Sequence, residues 1–271
     1  MMQLTDYHTH NTLCHHAEGT PTDYALAAVE RGLAEYGASD HNPSPTIHDD
    51  WRMEMDKLDL YIESVRAAAD AVAKVAPAEF KVKLGMECDF LVGEEPWLDQ
   101  LAAYADWDYL IGSVHYIDRE WAIDDPRLAS RISANGTEET WQRYWDCYVA
   151  MIRSKRFDIL GHPDLVKKFG DVPGGDLDRF FVPVIEAMVE ADVCFEINTA
   201  GWHKECAEQY PHQRFLELAG EAGLPIVISS DAHAPSEIGR DFERALELAK
   251  RSGIRHLARF TKRERSLIEI A

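Results

Sequence analysis

Two pairs of metal-type side chains stand near opposite ends of the chain: His8 and His10 in Asp6-Tyr7-His8-Thr9-His10, and Asp231 and His233 in Ser230-Asp231-Ala232-His233. Side chains two apart on a strand project from the same face, so each pair can grip one ion. Between the pairs, further ligand-type residues fall mostly just after short apolar runs: His16, His41, Glu87 in Gly85-Met86-Glu87, His115 and His162. A chain that returns such a residue to one strand end after another must bring those strand ends together. Reactive groups gather in this way at the C-terminal strand ends of a parallel barrel.

The periodicity supplies the strands that such a barrel needs. Strands are expected over 3–10, 33–39, 80–86, 109–114, 157–160, 193–198 and 225–229, and helices over 22–30, 58–72, 97–104, 138–153 and near 177–191, 212–222 and 237–251. The clearest helix carries Leu58, Tyr61, Ile62, Val65, Ala68, Ala69 and Val72 at three/four spacing. Residues 42–55, rich in prolines and turn formers, read as an active-site loop, and 116–136 as a second loop. The fold class is therefore α/β. At 271 residues with 46% hydrophobic content, one domain over 1–271 is expected, without internal repeats.

A formal net charge of −20 repels nucleic acid and anionic membrane, and no Lys/Arg run offsets it, so neither partner is expected. The same charge repels a phosphate dianion unless bound cations invert the local potential. Five cysteines without C-x-x-C spacing, and no signal-peptide pattern, predict thiols of a cytoplasmic protein. No apolar run approaches the ~20 residues of a membrane span.

Seven histidines with Glu87 and Asp231 make nine candidate ligands. One four-coordinate site uses three or four, so nine imply two or three divalent ions, and mixed imidazole and carboxylate suit zinc, iron or manganese. Such a cluster lowers the pKa of bound water towards ~7 and offsets charge on phosphoryl oxygens, which is the chemistry of metal-assisted phosphate-ester hydrolysis.

The order of motifs resembles the polymerase-and-histidinol-phosphatase (PHP) superfamily from residue 6 to about 240. His8-Thr9-His10, His16, Ser39-Asp40-His41, Gly85-Met86-Glu87, Gly112-Ser113-Val114-His115, Gly161-His162-Pro163-Asp164 and Ser230-Asp231-Ala232-His233 carry the likeness. Cys14-His15-His16 and Glu196-Ile197-Asn198-Thr199 bring it nearest to the stand-alone histidinol-phosphatases. The resemblance implies a distorted (β/α)7 TIM-like barrel with a trinuclear centre. One ion would take His8, His10, Glu87 and Asp231; a second would share Glu87 and add His115 and His162; a third would take His16, His41 and His233. It further implies hydrolysis of L-histidinol phosphate, a small phosphate ester, in histidine biosynthesis. The alternatives are another small phosphate ester, such as a nucleotide or sugar phosphate, a phosphorylated protein side chain, or a non-catalytic metal-binding module.

Asp40, beside His41, is expected to fix an imidazole tautomer. Family members commonly hold phosphate with arginines after the Gly-His-Pro-Asp and Glu-Ile-Asn-Thr segments; the corresponding stretches here offer Lys167 and Lys168, then His203 and Lys204. Lysine supplies a point charge without the bidentate fork. His203 is also a candidate to protonate the leaving group. Trp51, Trp121 and Trp202 are candidates for an aromatic wall, and Asp118, Asp124 and Asp125 for an ammonium contact. Cys14 and Cys88 read as small core groups, and His15, His48, His212 and His256 lack a strand-end context.

Overall fold

The structure is a computed structural model that describes residues 4–47 and 49–270. The expectation for residue 3 and the leftover His48 lie outside the described residues. In chain order the elements are β1 (Thr5–Asp6), α1 (Pro21–Glu30), β2 (Glu35–Ala38), α2 (Leu58–Val72), β3 (Lys81–Asp89), α3 (Glu95–Ala102), β4 (Tyr109–Ser113), β5 (Tyr116–Asp118) and β6 (Trp121–Ala122). They continue as α4 (Ser130–Asn135), α5 (Thr137–Ser154), β7 (Ile159–Leu160), α6 (Asp178–Ala191), β8 (Cys194–Asn198), α7 (Gln213–Glu221), β9 (Ile226–Ser229), α8 (Phe242–Arg251), β10 (His256–Thr261) and β11 (Glu264–Glu269).

The main sheet runs β1-β2-β3-β4-β7-β8-β9-β10-β11, parallel up to β10. The backbone closes on itself just past the ends of β1 and β9. Thr9 and Ala232 form a parallel bridge, with His10 N–H donating to Ala232 O at 2.9 Å and Ala232 N–H to His8 O at 3.3 Å. Among the described residues this gives a seven-stranded parallel barrel whose strands match the seven expected. Each crossover carries helical chain, and the inward-facing interior is filled by Tyr7, Tyr109, Ile111, Ile159, Cys194 and Val227.

Local signals set the helices. Thr20 and Asp23 form a reciprocal capping box at the start of α1, with Pro21 in its first turn. The apolar stripe of α2 is buried at Leu58, Tyr61, Ile62, Val65, Ala68 and Val72, as its spacing requires.

Two regions depart from the sequence reading. The loop over 116–136 contains the β5–β6 ribbon and α4. Beyond α8, β10 and β11 form an antiparallel hairpin at the N-terminal mouth, where Ala258 and Phe260 join the interior cluster. Lys262 N–H reaches Asp108 Oδ1 at 3.2 Å and fastens that hairpin to the turn before β4.

Candidate metal centre

The nine expected ligands converge at the C-terminal mouth, around Glu87. Its carboxylate lies 3.2 Å from His8 Nε2, 2.8 Å from His41 Nδ1, 3.0 Å from His162 Nε2, 3.5 Å from His115 Nε2 and 3.7 Å from His10 Nε2. Glu87 stands inside β3, held in register when its N–H bonds Ser39 O and Asn42 N–H bonds Glu87 O. Ser113 Oγ donates to its Oε1 at 2.6 Å.

His8 and His10 do share a side, with ring centroids 5.2 Å apart, although both lie past the end of β1. The Asp231–His233 pair does not repeat that extended geometry. Asp231 takes a left-handed backbone, φ 51°, in the turn after β9. This conformation, uncommon for a residue with a Cβ, brings its carboxylate to 3.0 Å from His10 Nε2 and 3.7 Å from His8 Nε2.

Buried carboxylates fix the outward nitrogen of several imidazoles so that the other faces inward. Glu196 holds His8 Nδ1 at 3.0 Å, Asp89 holds His115 Nδ1 at 2.5 Å, and Asp40 faces His10 Nδ1 at 3.5 Å. Asp40 makes no hydrogen bond to that nitrogen, and accepts instead from the backbone N–H of its neighbour His41 at 2.9 Å. Asp6 carries the closing turn, accepting from Ser230 N–H at 3.1 Å and Gly239 N–H at 2.9 Å. Sequence reasoning missed Asp6 and Asp89 in these roles, and gave Glu196 only as part of a motif.

The donor set fits metal ions. His8 Nε2 and Glu87 Oε2 are buried without hydrogen-bond partners. His16 and His233 supply a second test. The Nδ1 of His16 meets Cys14 O at 2.8 Å and that of His233 meets Asp231 O at 3.0 Å, so each ring donates outward from Nδ1. Their Nε2 atoms then face one another 3.0 Å apart as two lone pairs, an arrangement that a cation between them would relieve. Donor atoms within 4.8 Å of one another group as His8/His10/Glu87, His8/His162/Asp231, His41/Glu87/His115 and His10/His41/His233. His8, His10, His41 and Glu87 thereby each join two of these groups, a less separable arrangement than the three-way division implied by the resemblance.

The charges of these groups are strongly coupled. Burial disfavours the ionised carboxylates, but the surrounding imidazoles outweigh it and hold Glu87 and Asp231 well below the usual carboxylate range. Burial likewise lowers His10 and His115, yet Asp231, Asp40 and Glu87 raise His10 to about 9, and Glu87 and Asp89 raise His115 to about 10. Burial and the neighbouring His41 lower His16 to about 4. Burial lowers His8 too, but Glu196, Glu87 and Asp231 hold it well above the usual imidazole range, so at neutral pH metal is expected to displace protons from His8, His10 and His115, while His16 is already neutral. Metal affinity is expected to rise as pH rises toward 9, with log K gaining up to ~3 per pH unit, and zinc addition to stripped protein should release protons. Calorimetry in buffers of different ionisation enthalpy checks this; no proton release and a flat affinity between pH 6.5 and 8.5 would contradict it.

Above the centre lies a cleft of about 720 Å3 whose walls include His15, Asp50, Trp51, Asp124, Asp125, Arg127, Lys168, His203, Lys204 and Arg240. Lys168, His203 and Lys204 line the cleft, the Lys168 ammonium bound to Asp124 Oδ2 at 3.0 Å and Asp124 O at 2.8 Å. Lys167 does not: its ammonium is buried between Asp164 Oδ2 at 3.0 Å, Glu208 Oε2 at 2.7 Å and Gln209 O at 2.8 Å, a set that fixes a turn. Arg127 and Arg240, which sequence reasoning did not select, bring guanidinium groups to the cleft. Trp51 lines it, whereas Trp121 is buried beneath Arg131 and Arg143, and Trp202 packs on Arg244. Asp124 and Asp125 face the cleft, while Asp118 pairs with Arg143 at 2.8 Å. His15 turns to Glu54, and His212 accepts from Arg214 N–H as the cap of α7. Cys14 and Cys88 are buried thiols; the Cys14 sulfur lies within 4.8 Å of donor atoms of His10 and Asp40.

The PHP domain family model matches residues 6–200. The chain belongs to the PHP domain family. A Deinococcus radiodurans protein named "Probable histidinol-phosphatase" is 36% identical to this PHP protein over 249 residues, 91% of this chain and 93% of that one. Histidinol-phosphatase of Bacillus subtilis is 25% identical over 272 residues, 91% of this chain and 99% of its own. The crystal structure of histidinol phosphate phosphatase from Lactococcus lactis, complexed with zinc, L-histidinol and phosphate, matches with a TM-score of 0.81 at 20% identity. It covers 98% of this chain and 100% of that one, and so shares this PHP barrel fold.

Proposed function

We propose that this PHP protein is a metal-dependent phosphomonoesterase that hydrolyses L-histidinol phosphate to L-histidinol and inorganic phosphate, acting as one catalytic domain over 1–271 in the cytoplasm. The observation that carries the reading is the convergence of nine ligand-type residues, Glu87 at their centre, beneath a cleft with both acidic and basic walls. Similarity to histidinol-phosphatases over nine-tenths of the chain selects the substrate. No helix among the described residues is long and apolar enough to cross a membrane.

In this reading His8, His10, His16, His41, Glu87, His115, His162, Asp231 and His233 hold two or three divalent ions of zinc, iron or manganese. Bound ions of this kind supply a water that deprotonates near neutral pH and neutralise charge on the phosphoryl oxygens. Lys168 and Lys204, with Arg240, add positive charge around the phosphate. His203, supported by Asp241 Oδ2 at 2.7 Å, gives a proton to the departing alkoxide. Asp50 and Asp125, which pair with Arg127, and Asp124, which pairs with Lys168, supply the carboxylates that the ammonium of the amino alcohol would meet, and Trp51, beneath the Arg127 guanidinium, the aromatic face for its imidazole.

Phosphate release from L-histidinol phosphate, p-nitrophenyl phosphate, a nucleotide and a sugar phosphate tests this assignment. The kcat/KM for histidinol phosphate should exceed the others by ~10³-fold, about 4 kcal/mol of transition-state discrimination. Equal, low activity on all four would sink the substrate assignment while leaving the metal chemistry intact.

A further inference from the structure

Behind the wall formed by Asp50 and Trp51 lies Arg52, which the proposed chemistry does not use. Its side chain is buried, although it belongs to an irregular loop rich in polar residues and proline. Nε and Nη2 bind Asp49 Oδ2 at 2.8 and 2.5 Å, and Nη1 binds Asn42 O at 3.0 Å and Asp89 Oδ2 at 2.7 Å. The other oxygen of Asp89 holds His115 Nδ1 at 2.5 Å. Tyr116 OH, next to His115 in the chain, donates to Asp49 Oδ2 at 2.6 Å and completes the circuit.

One carboxylate therefore has two duties. Through Oδ1 it orients an imidazole whose Nε2 faces Glu87, and through Oδ2 it anchors a loop whose neighbouring residues, Asp50 and Trp51, line the cleft. A buried guanidinium is a poor way to gain stability, since an apolar side chain of similar volume serves as well or better. What it offers is fixed geometry: its planar fork reaches Asp49 and Asp89 in directions set by one rigid group. Two sites that share a rigid element are linked, and the linkage acts equally in both directions.

We propose that Arg52 is a positioning residue that couples metal occupancy at His115 to the order of the Asp50-Trp51 wall. Metal on His115 holds Asp89, Asp89 holds Arg52, and Arg52 holds the wall against which the body of the substrate packs. In the other direction, substrate pressed against Trp51 strengthens metal retention. The inference rests on the metal-binding part of the proposed function.

The test is hydrogen–deuterium exchange of the peptide covering residues 49–53 in stripped and zinc-loaded protein, with bound zinc counted in the same samples. Wild type should exchange this peptide at least tenfold more slowly when loaded. In Arg52→Met exchange should be fast in both states, and zinc affinity should fall by roughly 10–100-fold, as when an orienting partner of a ligand is lost. Arg52→Lys, which can reach one carboxylate but not both, should recover part of the zinc affinity while the loop stays fast. The KM for histidinol phosphate should rise in both variants more than kcat falls. If zinc binds wild type and exchange of 49–53 does not change, or if Arg52→Met keeps wild-type affinity and protection, the coupling is wrong. If wild type binds no zinc, the metal-binding reading itself fails.

Discussion

Replacing Glu87 by glutamine is expected to lower kcat/KM for phosphate release by ~10⁴-fold or more, about 5 kcal/mol of transition-state stabilisation. Five imidazoles lie within 3.7 Å of this carboxylate, and it is buried among them. The amide keeps the shape but loses the charge that offsets those rings and any ions they hold. Its NH2 group would also turn a donor toward nitrogens that need acceptors or metal. The loss should appear as fewer ions per chain as well as slower turnover, with the fold retained because the Ser39, Asn42 and Ser113 contacts around Glu87 involve mainly backbone and one hydroxyl. Steady-state kinetics with metal analysis decides the matter; activity within tenfold of wild type would remove Glu87 from the centre.

Gly85→Ala should be a strongly damaging conservative substitution in the barrel. Gly85 sits opposite Tyr109 in the β3–β4 register, and a Cβ added there would lie 2.3 Å from the ring's hydroxyl-bearing carbon and 2.4 Å from a ring carbon beside it. The ring has no room to move away. It is fully buried, packs on Tyr7 with centroids 4.8 Å apart, and its single hydroxyl hydrogen is shared between Tyr7 O at 2.6 Å and Ala38 O at 3.1 Å. Shifting it breaks those bonds to two neighbouring strands and strains the strand that carries Glu87 two residues on. Destabilisation of about 3 kcal/mol or more is expected, at the upper end for overpacking because buried hydrogen bonds are lost as well. Denaturant unfolding monitored by circular dichroism measures it; a midpoint close to wild type would show that the interior can yield.

Much of this architecture is legible in the sequence because its signals are local. The apolar runs before most candidate ligands, the three/four stripe of α2 and the pairs at 8/10 and 231/233 are read within a few residues, and the nine candidates do meet at one barrel mouth. What is missed depends on partners far away in the chain. Asp6 finds Ser230 and Gly239 only after the barrel closes, and Asp89 serves His115 through a neighbouring strand. Lys167 carries the same charge as Lys168, and only the fold decides that one is buried among Asp164 and Glu208 while the other faces the cleft. The β10–β11 hairpin is hidden for a different reason. Its two-residue turn places Lys262 and Arg263 at φ 51° and 64°, positions that usually advertise themselves through Asn or Gly. Its outer strand is largely exposed and so carries little alternation.

The central claim is that one polynuclear centre, held by this chain, performs the hydrolysis. Its most direct test is a titration of stripped protein with zinc, reading bound ions per chain and phosphate release from L-histidinol phosphate in the same samples. The account predicts negligible turnover in stripped protein and full activity once two or three ions are bound per chain, with little activity at one. Turnover that survives stripping, or saturation at a single ion without activity, would contradict it.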